Sequence, residues 1–151
     1  MASPRRRAGG SGPRGSFTVR MMHRARQIER GMATVKQDVV VVLVGTLSRF
    51  TPKLTGRARA NWNVGIGAPD LSVDLDGPFR SSEATEAEAR IRAARAKTGQ
   101  SIEVSNALPY IRKLNRGSSR KAPAGFVERA VRVARQVAHE GRFLDRLKGG
   151  Q

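Results

Sequence analysis

Side chains at Ile28, Met32, Val35, Val39, Val42 and Thr46 recur at alternating steps of four and three. That spacing gathers them on one side of a helix. It predicts a long helix from Thr18 to the break at Thr51-Pro52, and a stripe of this length needs a partner surface, which constrains everything downstream. Residues 39–44 are β-branched apart from Leu43 and are compatible with a buried strand as well; the continuing periodicity favours helix. Arg20, Arg24, Arg26 and Arg30 crowd the first half. Cations there oppose the helix dipole, so these arginines answer to something outside the helix.

Beyond the break, residues 51–62 read TPKLTGRARANW. After a turn at Thr55-Gly56, Arg57, Arg59 and Asn61 alternate with Ala58, Ala60 and Trp62, the period of a strand. Trp62 is expected to anchor the core while Arg57 and Arg59 face solvent or a neighbour. Residues 63–67 continue this strand, Pro69-Asp70 turns it, and residues 71–75 alternate again, predicting a hairpin. After a loop at Gly77-Pro78, Ser82 is expected to cap a helix ending at Gly99, with Glu83, Glu86 and Glu88 early and Arg90, Arg92, Arg95 and Lys97 late. Its alanine-rich apolar content predicts a helix that lies on the surface or against a neighbour and adds little core. Residues 101–105 form a further strand, with Ile102 and Val104 on one face.

Three kinds of structure meet in residues 104–126. The strand ends, Asn106 and Pro109 make a turn, and Tyr110, Ile111 and Leu114 sit at helical spacing with Arg112, Lys113 and Arg116 outward. Gly117 stops that turn, a basic loop follows, and Pro123 suits the first turn of a new helix. Phe126, Val127, Ala130, Val131, Ala134, Val137 and Ala138 then draw an apolar stripe, with Phe126 as a second core anchor. Arg129, Arg132 and Arg135 align on another face.

The expected architecture is α+β: a small antiparallel sheet packed by a long N-terminal helix and a C-terminal helix, with a surface helix inserted between strands. Residues 1–16 hold Arg5, Arg6, Arg7 and Arg14 among glycines and prolines, a composition expected to form a flexible basic arm. Residues 17–140 form one domain. Residues 141–151, with Phe143, Leu144 and Leu147 after Gly141, form a short C-terminal extension.

The chain has no cysteine and only two histidines, His23 and His139, each without a second ligand at metal spacing. No nucleophile is placed beside a base, and no glycine loop suits a phosphate. Glu86 and Glu88 diverge on a helix, since residues two apart do not share a face. The expectation is therefore a protein that is not an enzyme, with no cofactor and no metal. No signal core or membrane span is expected, and localisation inside the cell follows.

Net charge is +17, from 29 Lys and Arg against 12 Asp and Glu. Such an excess attracts nucleic acid or another acidic surface. Of the basic residues 23 are arginine, suited to bidentate phosphate or carboxylate contacts. Residues 1–30 carry eight arginines against one glutamate, a net of +7; residues 104–151 carry eleven basic against three acidic groups, a net of +8; residues 70–103 carry seven acidic against five basic, a net of −2. Basic ends around a mildly acidic middle suit head-to-tail packing of identical subunits.

The ordered set Thr-Pro-x-x-Thr-Gly-Arg-x-Arg-x-Asn-Trp at residues 51–62, then Ser-Asn-x-x-Pro-Tyr, Leu-x-x-Gly-Ser and Ala-Pro-x-Gly within residues 105–126, resembles the small neck or tail-completion proteins of tailed double-stranded DNA phages. The resemblance covers about half the chain. It implies a structural virion subunit of the neck or tail, made in the host cytoplasm, that joins the DNA-filled head to the tail as a sixfold ring around the DNA path. Its partners would be identical subunits, adjacent neck and tail proteins and, non-specifically, double-stranded DNA, with no membrane. Two departures stand out: such proteins often carry an acidic residue and a glutamine near the Gly-Ser turn, where this chain has Asn115 and Lys121. On this reading Arg5, Arg6, Arg7, Arg14, Arg20 and Arg24 are candidates to face DNA. Arg57, Arg59, Tyr110, Arg112 and Lys113 are candidates for subunit contacts, and Arg129, Arg132 and Arg135 could serve either role. The alternative is a free basic nucleic-acid-binding protein, nucleoid- or RNA-associated; only one Tyr and one Trp are present, which is sparse for base stacking.

Overall fold

A single helix, α1, runs Phe17–Phe50 without a proline to interrupt it. The computed structural model describes residues 17–121 and 124–139. The elements that follow are α2 (Arg57–Ala60), β1 (Asn63–Ile66), α3 (Ser82–Ala94), β2 (Ile102–Ser105), α4 (Ile111–Asn115) and α5 (Phe126–His139). Helix α1 is the spine, with α3 and α5 packed along its C-terminal half and the sheet beside them. The class is α+β as expected, and residues 39–44 are helical.

The core lies on the C-terminal half of α1. Val40, Val44 and Leu47 pack with Trp62, Val64, Ala89, Ala93, Leu108, Ile111, Phe126 and Ala130. The expected stripe is buried at Thr46 but otherwise displaced: the apolar face that turns inward is Val40, Val44 and Leu47, whereas Val35, Val39 and Val42 are half-buried and Ile28 and Met32 are exposed. In the valine run, burial on several sides hides which register faces the core. A stretch of α1 with mean hydropathy 1.3 is long and apolar enough to cross a membrane, and that same stretch supplies the core residues of this fold.

The sheet has two strands. β1 and β2 are antiparallel, pairing Val64 with Val104 and Ile66 with Ile102. The predicted hairpin with residues 71–75 is not formed. That segment is extended, but it is fastened through side chains: Asn63 Nδ2 donates to the Ser72 carbonyl at 2.7 Å, and Asn61 both accepts from the Asp74 N–H at 2.7 Å and donates to the Asp74 carbonyl at 2.9 Å. Residues 57–60 are a short helix where a strand was expected. The Arg-Ala alternation is also compatible with one helical turn that buries Ala58 and Ala60, and Gly56, at φ 98°, turns the chain into it.

Helix α3 is capped by Ser81, one residue before the expected position; its hydroxyl accepts from the Ala84 N–H at 3.1 Å. The helix ends at Ala94, and Gly99 lies in the turn beyond it. The alanines of α3 let it lie close against α1, burying Thr85, Ala89 and Ala93, so it adds more to the core than expected. Its other face is exposed. The predicted first-turn position of Pro123 and the elements of residues 141–151 lie outside the described residues.

Candidate functional site

The motif at residues 51–62 builds a joint. Thr51 is fully buried; its hydroxyl donates to the Leu47 carbonyl at 2.6 Å and accepts from Trp62 Nε1 at 2.9 Å. The break after α1 is thereby fixed to the core tryptophan. Each carbonyl of the short helix α2 receives a side-chain donor. Asn61 donates to the Arg57 carbonyl at 2.8 Å, Asn106 to that of Ala58 at 2.9 Å, Ser48 to that of Arg59 at 3.4 Å and Arg80 to that of Ala60 at 2.7 Å. One helical turn cannot satisfy these groups internally, so the fold recruits donors from α1, residue 80 and the second motif block.

The two motif blocks also face each other across an open groove. Its volume is about 620 Å³, and its walls include Lys53, Leu54, Tyr110, Leu114, Arg120 and Lys121. Leu54 is 84% exposed. Ile111 is buried and Leu114 half-buried, but Tyr110, expected to pack inward with them, stands at the groove edge. A basic rim around an apolar floor suits an acidic, partly apolar protein segment.

The candidate contact residues fall into two groups. Arg59 is engaged within the chain, donating through Nε to the Thr51 carbonyl at 2.9 Å. Arg57 donates to the Leu75 carbonyl at 2.9 Å and stacks its guanidinium 5.5 Å from the Phe79 ring centre. Both arginines therefore hold the joint. Arg112 and Lys113 are exposed on α4, and Arg129, Arg132 and Arg135 are exposed along α5, Arg129 with its guanidinium 5.6 Å from the Phe50 ring centre. Arg20 and Arg24 are exposed on α1. Arg5, Arg6, Arg7 and Arg14 lie outside the described residues. Trp62 and Phe126 are both buried.

Asn115, one of the departures from the resembled pattern, caps α5. Its Oδ1 accepts from the Val127 N–H at 2.9 Å and its Nδ2 donates to the Glu128 carboxylate, holding Glu128 below the usual carboxylate range. Spacing alone does not reveal this link, because it joins α4 to α5 through a loop.

Glu86, Asp70 and Glu88 are spent on structure. Glu86 pairs with Arg49, joining α3 to α1. Arg92 pairs with Glu88 and Asp70. Hydrogen bonds from Ser72 first, then from Arg92, lower the pKa of Asp70; the Arg92 hydrogen bond is the main cause lowering that of Glu88. Among the described residues no group of three or more His, Cys, Asp or Glu could hold a metal ion.

Comparison with protein-family models, with curated proteins and with solved structures finds no match.

Proposed function

We propose that the chain is a ring-forming structural subunit of a phage neck or tail, joining the DNA-filled head to the tail. The observation that carries this reading is the convergence of both resembled motif blocks on one joint: Thr51, Trp62, Asn61 and Asn106 lock it, and Pro52, Thr55, Tyr110, Leu114 and Ser118, drawn from both blocks, help wall an open basic groove. Motif residues used as fasteners fit an assembly part better than a catalyst. The exposed arginines of α1 and α5 would balance phosphate charge along a DNA path without reading bases.

Quantitative mass spectrometry of purified particles tests the reading by counting this chain against the major capsid subunit. A low, fixed copy number, on the order of six or twelve as closed cyclic symmetry gives, is expected. Absence from particles, with the chain recovered on cellular nucleic acid, would overturn it in favour of the free nucleic-acid binder.

A further inference from the structure

The first part of α1 extends beyond the core. Every residue from Phe17 to Arg30 is exposed, a length of about 20 Å at the rise of an α-helix. Some of its apolar side chains nevertheless keep the steps that opened the sequence, while Phe17, Val19 and Met22 lie off that row. Back from Ile28, the same alternation of three and four reaches Ala25, Met21 and Thr18. Met21 is 55% exposed, Ile28 40% and Met32 60%. This row runs on through Val35, Val39 and Val42, apart from the face of Val40, Val44 and Leu47 that packs into the core. A hydrophobic repeat averaging 3.5 residues over several turns is the signature of a seam between two helices. Within the described residues this chain provides no second helix for its projecting end.

We infer that the projecting half of α1 pairs in parallel with α1 of a second copy of this chain, through the seam of Met21, Ala25, Ile28 and Met32. Charge placement supports both the occupant and the direction. With the seam at positions a and d of a heptad, Arg24 falls at g and Glu29 at the following e, the two positions that meet across a parallel pair. Each copy thus offers Arg24 to its partner's Glu29 and Glu29 to its partner's Arg24. Neither residue has an ion pair among the described residues. Antiparallel pairing centred on the seam from Met21 to Met32 instead sets Arg24 against Gly31 and Glu29 against Met22, leaving both charges unmatched. His23, Arg26 and Arg30 lie on the side opposite the seam, so pairing leaves them free for an acidic partner. The inference goes beyond the ring reading and does not rest on it, since a seam that pairs the same face of two copies joins them whether or not they enter a ring.

The absence of cysteine permits a direct test on the full chain. Single variants Ile28→Cys, on the seam, and Arg30→Cys, on the opposite side, are oxidised mildly and run on a non-reducing gel. Both sites are exposed, and far-UV circular dichroism confirms that each variant is folded. Ile28→Cys is expected to give a disulfide-linked band at twice 16.4 kDa, and Arg30→Cys to stay monomeric. Adding Arg24→Glu to Ile28→Cys should remove the dimer, and adding Glu29→Arg as well should restore it. No dimer from Ile28→Cys, or equal dimer from Arg30→Cys, would overturn the pairing; failure of the double charge swap to restore it would overturn the parallel register. Particle copy number is independent of these outcomes, so the pairing and the ring reading can fail separately.

Discussion

Thr51 shows how much one hydroxyl can hold. It serves the last turn of α1 as a donor and Trp62 as an acceptor, both in the dry interior. Replacing it with valine keeps the shape but leaves the buried indole N–H without its acceptor, while the Leu47 carbonyl keeps its bond from the backbone N–H of residue 51 at 2.9 Å. Thr51→Val should cost about 1–3 kcal/mol, the penalty for a buried polar group left unsatisfied, while Thr51→Ser should retain most of the stability. Urea unfolding followed by Trp62 fluorescence measures both. Gly65 is constrained differently. A Cβ there would lie 2.0 Å from the Ala68 carbonyl oxygen and 2.7 Å from the Asp70 nitrogen, backbone atoms that cannot swing aside. Gly65→Ala should therefore cost about 3 kcal/mol or more, the upper end for an overpacked site. A melting temperature close to that of the unsubstituted chain would show that the turn at residues 68–70 does not close on β1. The sequence marks Gly65 only as part of a turn-rich Gly-Ile-Gly run; the reason for the glycine is the returning backbone.

Among the elements, legibility followed periodicity. The length of α1 was readable because its spacing persists, and α5 because its stripe of Phe126, Ala130 and Ala134 matches its buried residues. Two segments misled for physical reasons. Residues 57–60 alternate Arg and Ala, a pattern that one helical turn and a strand both accommodate, and the deciding donors, Asn106 and Arg80, come from remote positions. Residues 71–75 are extended and alternate like a strand, but their backbone is held by Asn61 and Asn63 side chains in place of a neighbouring strand. The groove was equally hidden, since it exists only once residues 52–58 and 110–121 are brought together. Helix α3 yields an element-scale prediction. Asp70 and Glu88 have pKa values lowered on folding, so their contribution is present above the unfolded carboxylate range, near 4, and is lost as pH falls through the lowered folded values. Arg92 supplies the main cause for Glu88 and a lesser one for Asp70. Arg92→Met should lower the urea midpoint at pH 7, and the gap to the unsubstituted chain should narrow as pH drops below about 4. A gap constant with pH would mean that the ion cluster does not contribute through charge.

For the whole molecule, charge and shape combine. A net charge of +17 attracts any polyanion, so DNA binding alone separates few readings; the dependence of that binding on salt carries more information. Each phosphate neutralised contributes about 0.9 to the slope of log affinity against log salt on duplex DNA. If the side of α1 opposite its apolar seam lies along DNA, the triple variant Arg20→Gln, Arg26→Gln, Arg30→Gln should flatten the slope by about 2 to 3. All three side chains are exposed, so the fold should survive the change. Arg57→Gln and Arg59→Gln provide the contrast. Their guanidiniums are committed to the Leu75 and Thr51 carbonyls, so these substitutions should lower stability and leave the slope nearly unchanged. Filter binding or fluorescence anisotropy on a non-specific duplex between 50 and 200 mM salt, a range over which phosphate contacts change affinity by orders of magnitude, measures both sets. Equal slopes for the α1 triple variant and the unsubstituted chain would remove that face from the DNA path and make the exposed arginines of α5, Arg132 and Arg135, the next set to test.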